Sequence, residues 1–232
     1  MPAALRSRRT SRRAEAAPAR RGRYAAGRSR GWALVDAGER IAAAAALLVL
    51  LPALLLAGAV IAVQSGRSPL VAHGRVGRFG EPLWVPKLRT MWGAGRPAGG
   101  PRWLERVGGE EVPWPKTADD GRVRTRFARA CRRWSLDELP QLLLVASGSM
   151  ALVGPRPLTR AELDRHYGRD AAEVLTIPPG ITGLWQVTGR NTLGYDARLK
   201  ADLALVRHCS AALYARIVAR TLFVVVRAEG AW

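Results

Sequence analysis

Cysteine is nearly absent from this chain, with Cys131 and Cys209 the only two among 232 residues. They form no CxxC pair, which argues against a disulfide-stapled secreted fold and against a four-cysteine zinc site. The pattern reads as that of a reducing compartment. Histidine is scarce too, and His166 and His208 stand apart from any metal-like cluster. Acidic residues are few: 18 Asp and Glu face 37 Lys and Arg, a formal charge of +19. Such a charge points to an anionic partner without choosing among nucleic acid, lipid headgroups and a phosphorylated metabolite. Apolar residues are plentiful at 48%, so a wholly disordered chain is excluded. The length suits one domain with an appendage, since domains run roughly 100–200 residues.

The charge is unevenly placed. Residues 1–30 hold Arg6, Arg8, Arg9, Arg12, Arg13, Arg20, Arg21, Arg23, Arg28 and Arg30 among Ala, Ser and Gly, with a lone Glu15. Without apolar periodicity this segment reads as a disordered basic tail. Two roles stay open for it: a dispensable solvated tail, or an anchor to anionic membrane lipids, worth ~1 kcal/mol per basic residue near the surface. It imitates a transit peptide in composition but lacks a helical apolar face.

From Ile41 to Val63 the chain reads IAAAAALLVLLPALLLAGAVIAV, about 23 uncharged residues against the ~20 that cross a bilayer. This places a membrane-embedded helix at 31–65, followed by a folded domain at 66–232. Both flanks are basic, with Arg40 and the tail before the segment and Arg67, Arg75, Arg78, Lys87 and Arg89 after it. The positive-inside rule favours one basic flank. A segment that enters and leaves on the same face satisfies both, and Pro52 near the midpoint supplies a site for the bend. A kinked single span is the alternative.

Beyond it, glycines at 74, 77 and 80 and prolines at 69, 82 and 86 predict short strands, with a hairpin around Gly80-Glu81-Pro82. Arg122, Arg126, Arg129 and Arg133 recur at helical spacing, a basic face suited to phosphate when it lies beside a membrane. Ser135 and Glu138 have the spacing of a capping box, which predicts a helix starting at Ser135 with Asp137 in its first turn. Pro140 conflicts with that register unless it too lies in the first turn. Gly148 to Pro157 reads as a strand that ends in a stiff turn, with Arg156 between two prolines and its planar fork of donors suited to phosphate. The stretch from Ile177 to Asn191, with Gly, Thr, Gln186 and Arg190, is rich in turns that bring backbone N–H groups close to a phosphate or nucleotide. Tyr195 to Arg227 predicts one or two helices. Its run Thr221 to Val226 is too short to span a bilayer and suits interfacial or core packing.

The ordered blocks GRVGRFGEPLWVPKLRTM, TRFARACRRWSLDELPQL, LVGPRP and PGITGLWQVTGRN, preceded by an apolar segment with a central proline, resemble the bacterial sugar transferases. These are monotopic polyprenyl-phosphate phosphoglycosyl transferases, and the resemblance runs from about Gly31 to the C-terminus. It implies an α+β, mainly α fold: a re-entrant helix–break–helix in the bacterial cell membrane and a small cytoplasmic catalytic domain with short strands and interfacial helices. It also implies the chemistry. Asp137, paired with Glu138, is the expected nucleophile toward a nucleotide diphosphate sugar, usually a UDP-sugar. UMP leaves, and polyprenyl phosphate, in bacteria undecaprenyl phosphate, takes up the sugar phosphate from a covalent aspartyl intermediate. Mg²⁺ held at Asp137 is the expected cofactor. Arg156, Arg132, Lys87, Arg89 and Arg190 fall at motif positions and are expected to bind phosphate or organise the site, while Gln141 and Gln186 are expected to be structural.

The chain departs from the family pattern where Leu88 replaces Phe, where Ser149-Met150-Ala151 replaces Asp-Met-Ser, where Ala128 replaces Gly, and in a lack of acidic residues after Met91. None touches the Asp-Glu pair. Nucleic acid is not an expected partner of the enzyme. The competing reading, a membrane-tethered basic protein that contacts nucleic acid or anionic lipid through its tail, predicts that loss of residues 1–30 abolishes function and that binding weakens steeply with salt. A further alternative keeps the fold and makes this copy a weak catalyst.

Overall fold

The computed structural model describes residues 30–93, 103–107, 120–189 and 193–227. The basic tail and Arg190 lie outside them. Helix α1 runs from Arg30 to Ser65, and its Ala-, Leu- and Val-rich centre is apolar all round, with Leu48, Val49, Leu51, Leu55 and Leu56 exposed. A helix of that kind belongs in lipid or a large core. Its helical course continues through Pro52, without the break expected there; small local backbone adjustments in apolar helices accommodate such a proline.

Two points of α1 rest on the rest of the chain. Near its start, Glu39 is buried and accepts a hydrogen bond from the Tyr214 hydroxyl at 2.6 Å, and Ala43 packs with Val85, Val145 and Met150. Near its end, Gly58 meets Pro69, Ile61 is fully buried, and Gln64 Oε1 accepts from Thr125 Oγ1 at 2.7 Å.

Strands β1 (Leu70–Val76) and β2 (Pro82–Leu88) form the predicted hairpin, antiparallel with Val76 opposite Pro82. Phe79 lies at φ 57° in the connection. Strand β3 (Leu104–Val107) joins the other edge of β1 in parallel, giving the order β2-β1-β3. Because paired residues share a face, His73, Arg75 and Lys87 project from the same side of this sheet.

Helix α2 spans Arg126–Arg133 and begins four residues later than the arginine spacing predicts, because Thr125 caps it by accepting the Ala128 N–H. A 3₁₀ helix follows at Leu136–Gln141 and leads into α3 (Leu142–Ser147). Next come β4 (Ala151–Val153), α4 (Arg160–Glu162), a π-helical turn at Leu163–Tyr167 and α5 (Ala171–Val174). Strand β5 (Gly180–Thr182) pairs in parallel with β4. Helices α6 (Leu184–Thr188), α7 (Tyr195–His208) and α8 (Ala211–Arg227) complete the described chain. Val153, Val187, Leu205, Cys209 and Ile217 form the core between β4 and the last two helices. In the run 221–226, Val224 is buried while Leu222 and Phe223 are exposed.

Candidate active site

The 3₁₀ helix packs on β2, and that contact assembles the first part of the site. Lys87 Nζ donates to Glu138 Oε1 at 2.6 Å, with both side chains about one-fifth exposed at 20% and 23%. Asp137 is buried. Its neighbour Cys131 has its thiol pKa pushed up by burial and then by the charge of Asp137, so it stays neutral. Arg132, in the last turn of α2, donates to Met91 Sδ at 3.0 Å. Asp137, Glu138, Lys87 and Arg132 therefore gather where β2 ends.

Local sequence explains how Asp137 is presented. Ser135 sits at φ 55°, so the chain turns sharply out of α2, and the Glu138 N–H bonds to the Ser135 carbonyl. The expected capping box does not form: Ser135 makes no side-chain cap, and the Glu138 carboxylate goes to Lys87. Asp137 does lie in the first turn. Pro140 is accommodated because the turn is 3₁₀, with i→i+3 bonds, rather than α. A capping box of the same spacing forms instead at Thr159 and Glu162.

The other expected residues are dispersed. Arg89 is held inside the fold, donating to the Ser68 carbonyl at 2.7 Å and to Glu105 Oε2 at 2.7 Å, so it braces β2 and β3. Gln141 is buried, and Gln186 Nε2 donates to the Ile181 carbonyl at 3.1 Å. Arg156 lies in the loop after β4, which β5 pins from the other side. There the Gly154 N–H bonds to the Thr182 carbonyl and the Gly180 N–H to the Pro155 carbonyl. The charge of Arg156 is felt by Arg75, Tyr195 and Asp202.

That second cluster was not singled out by sequence reasoning. Asp202, on α7, is fully buried; Tyr167 donates to its Oδ2 at 2.8 Å while Oδ1 has no partner. Burial raises its pKa to about 7, against the pull of the Tyr167 hydrogen bond and of Arg156 and Arg198. Tyr195 donates to Glu162 Oε1 at 3.1 Å and stacks on His166 at 3.7 Å between centroids. His73 is held neutral, its pKa lowered to about 4 by burial and then by Arg75, Lys87 and Arg89. The sequence signal for this group was the alternation His73-x-Arg75 on β1, which places both on the face that carries Lys87.

Among the described residues no group of three or more His, Cys, Asp or Glu is arranged to hold a metal ion. The donor set still suits Mg²⁺, which takes one or two carboxylates and completes its shell with substrate phosphates and water. Asp137 and Glu138 are the carboxylates this pair would offer, Asp137 being the buried one.

Comparison with known proteins agrees with the residue pattern. The family model described as bacterial sugar transferase matches residues 32–228. The chain is 35% identical over 204 residues to the UDP-galactose-lipid carrier transferase of Erwinia amylovora, covering 84% of this chain and 40% of that protein. It is 36% identical over 199 residues to the exopolysaccharide production protein ExoY of Rhizobium meliloti, covering 83% and 85%. It is 41% identical over 161 residues to the UDP-glucose:undecaprenyl-phosphate glucose-1-phosphate transferase of Caulobacter vibrioides, covering 67% and 55%. The chain thus spans less than half of the first relative and most of the second.

Proposed function

The chain belongs to the bacterial sugar transferase family, and we propose that it is an undecaprenyl-phosphate sugar phosphotransferase, moving a sugar 1-phosphate from a UDP-sugar to polyprenyl phosphate at the start of exopolysaccharide or related glycan assembly. The observation that carries the reading is the buried Asp137 beside the Lys87–Glu138 pair. A carboxylate oxygen of Asp137 attacks the phosphorus that bears the sugar. The bond from that phosphorus to the bridging oxygen breaks, and UMP leaves with the electron pair. An oxygen of polyprenyl phosphate then attacks the same phosphorus and frees the Asp137 carboxylate.

Both steps set an anion against a polyanion, so preorganised positive charge must supply much of the rate enhancement. Glu138 holds Lys87 by a short charge-assisted hydrogen bond, and Arg132 adds a guanidinium fork. Bound Mg²⁺ supplies further neutralisation of the diphosphate.

The docking of α1 supports an anchor that stays on one face of the membrane, although its helical course is unbroken at Pro52. Glu39 and Gln64 are about 38 Å apart along a straight helix, more than the thickness of a bilayer core, yet each hydrogen-bonds to the domain that follows α1. A helix docked on one domain at both points does not cross the bilayer between them. The basic flanks on both sides support the same reading, in which the catalytic domain lies on the cytoplasmic face, next to anionic lipid.

The deciding experiment measures UMP release from a panel of UDP-sugars with Mg²⁺ and no lipid acceptor, for detergent-solubilised wild type and Asp137→Asn. The expected result is a burst near one UMP per enzyme that the variant lacks. No burst with any donor, and no turnover once undecaprenyl phosphate is added, overturns the assignment.

A further inference from the structure

Arg198, in the first turn of α7, is held by three contacts at once. Its guanidinium carbon lies 4.7 Å from the centre of the Trp185 ring and 5.0 Å from that of Tyr195, and its Nε donates to the Leu193 carbonyl at 2.9 Å. Those three supports are themselves fixed. Trp185 is buried in α6, while Tyr195 stacks on His166 at 3.7 Å and donates to Glu162 Oε1 at 3.1 Å. Leu193 is seated on Gly189, where a Cβ would come within 2.6 Å of Leu193 Cγ. An arginine stacked on aromatic faces keeps its planar fork in one orientation and loses little freedom when it binds.

This mounting leaves a pair of donors over. With Nε spent on the backbone, Nη1 and Nη2 close no ion pair and no hydrogen bond among the described residues. Asp202, one turn further along α7, is the ordinary partner for such a side chain. It is buried instead, its Oδ2 takes the Tyr167 hydroxyl at 2.8 Å, and neither oxygen bonds to Arg198, which reaches the other way to Leu193. Glu162 is committed to the Thr159 N–H and to Tyr195. The Trp185 ring beneath the guanidinium adds another donor, since its Nε1 is buried with no acceptor among the described residues. Donors gathered in this way and partly out of water are costly until an acceptor joins them.

The place suits a substrate of the reaction. Helix α6 starts at Gly183, packed so closely on the loop after β4 that a Cβ there would lie 2.5 Å from the Gly154 carbonyl oxygen, and Trp185 follows two residues on. We propose that Arg198 is a substrate-binding residue whose Nη edge receives a phosphoryl group, with Trp185 and Tyr195 as positioning residues that hold the guanidinium. Two parallel N–H donors match two oxygens of one phosphate, a match that a lysine lacks. On the phosphotransferase reading, on which this inference rests, the guest is the phosphate that leaves with the nucleoside. The headgroup of polyprenyl phosphate has the same chemistry and is the other source.

The test uses the full chain in detergent, with Arg198→Met, Arg198→Lys and Tyr195→Leu. Calorimetry reads the binding of UMP and of inorganic phosphate. Steady-state UMP release gives the donor KM, kcat and the KM for undecaprenyl phosphate, and thermal unfolding checks the fold. Arg198→Met is expected to weaken UMP binding about tenfold or more, the scale of a lost bidentate charge-assisted contact, and to raise the donor KM more than it lowers kcat. Arg198→Lys recovers part of that loss. Tyr195→Leu, which keeps the charge and removes one ring, weakens UMP binding by a smaller factor, about threefold. If the guest is the lipid phosphate, UMP binding holds and the KM for undecaprenyl phosphate rises by a similar factor.

A purely structural arginine lowers the unfolding temperature and moves none of these constants. A folded Arg198→Met with wild-type UMP binding, phosphate binding and lipid KM therefore overturns the site and leaves the phosphotransferase reading intact. A wild type that releases no UMP from any donor, whose phosphate binding is still lost in Arg198→Met, overturns the donor assignment and keeps the site. Should Arg198→Met not fold, a folded Arg198→Lys that equals wild type in all three readouts also overturns the site.

Discussion

Lys87 Nζ and Glu138 Oε1 lie 2.6 Å apart across the junction of β2 and the 3₁₀ helix, joining residues 51 positions apart in the sequence. The pair is partly exposed, so its stability contribution is about 1 kcal/mol or less. On the proposed function its catalytic contribution is larger, because Glu138 fixes Lys87 as a cation beside the Asp137-Glu138 pair. Lys87→Met is expected to leave the melting temperature within a few degrees of wild type and to lower kcat by about a hundredfold or more. Lys87→Arg restores part of the rate. A kcat for Lys87→Met within threefold of wild type in steady-state UMP release would remove Lys87 from the site.

His73 and Asp202 have opposite pH linkages that mask each other. The pKa of Asp202 is raised by burial from 3.8 to about 7. As pH climbs through that window the unfolded chain gives up a proton that the native state keeps, so stability falls by up to about 1.4 kcal/mol per pH unit. The pKa of His73 is lowered, by burial first, from 6.5 to about 4. Between those values the unfolded chain binds a proton that the native state refuses, so stability rises with pH, by a smaller slope because the ring is partly exposed. Relative to wild type, Asp202→Asn is expected to gain stability steadily as pH goes from 4.5 to 7, and His73→Gln to lose it over 4.5 to 6.5. Thermal unfolding across pH 4.5–7.5 measures both, and slopes parallel to wild type would refute the linkage.

The Gly154–Gly180 contact holds the loop of Arg156 in place. A Cβ on Gly154 would lie 2.6 Å from the Pro178 carbonyl oxygen, and one on Gly180 would overlap the Gly154 backbone. Backbone cannot swing aside as a side chain does, so Gly180→Ala must separate β4 from β5 locally. The expected cost is on the order of 2–3 kcal/mol, seen as a lower denaturation midpoint, with donor KM rising more than the rate falls at saturation. An unchanged midpoint would mean that the two strands tolerate separation.

The parts of this fold that local patterns specify were legible. The uncharged run became α1, glycine and proline punctuation gave the β1–β2 hairpin, and the Asp-Glu pair came out in the first turn of a short helix beside a cation. The S/T-x-x-E spacing occurs at both Ser135 and Thr159 and forms a box only at Thr159. Spacing alone carries no knowledge of Lys87, which takes Glu138 from the first box through a contact 51 residues distant in sequence. The same limit applies to Arg89, whose partners Ser68 and Glu105 come from other parts of the chain, and to Asp202. Asp202 reads as one more polar residue on a charged helix until the fold buries it against Tyr167. Long-range pairing decides which charges are structural and which face the site.

The anchor geometry yields a topological prediction. Exposed Leu34 and Val63 flank the apolar centre of α1, and Leu51 lies within it. The native Cys131 and Cys209 are buried, so single substitutions Leu34→Cys, Val63→Cys and Leu51→Cys give clean reporters in the otherwise native chain. In inverted membrane vesicles, whose outer surface is the cytoplasmic face, a membrane-impermeant maleimide is expected to label Leu34→Cys and Val63→Cys and to miss Leu51→Cys. In right-side-out vesicles none of the three should label before lysis. A helix that crosses the bilayer would instead expose one end in each vesicle type, which would also mean that the contacts of Glu39 with Tyr214 and of Gln64 with Thr125 do not both persist in the membrane.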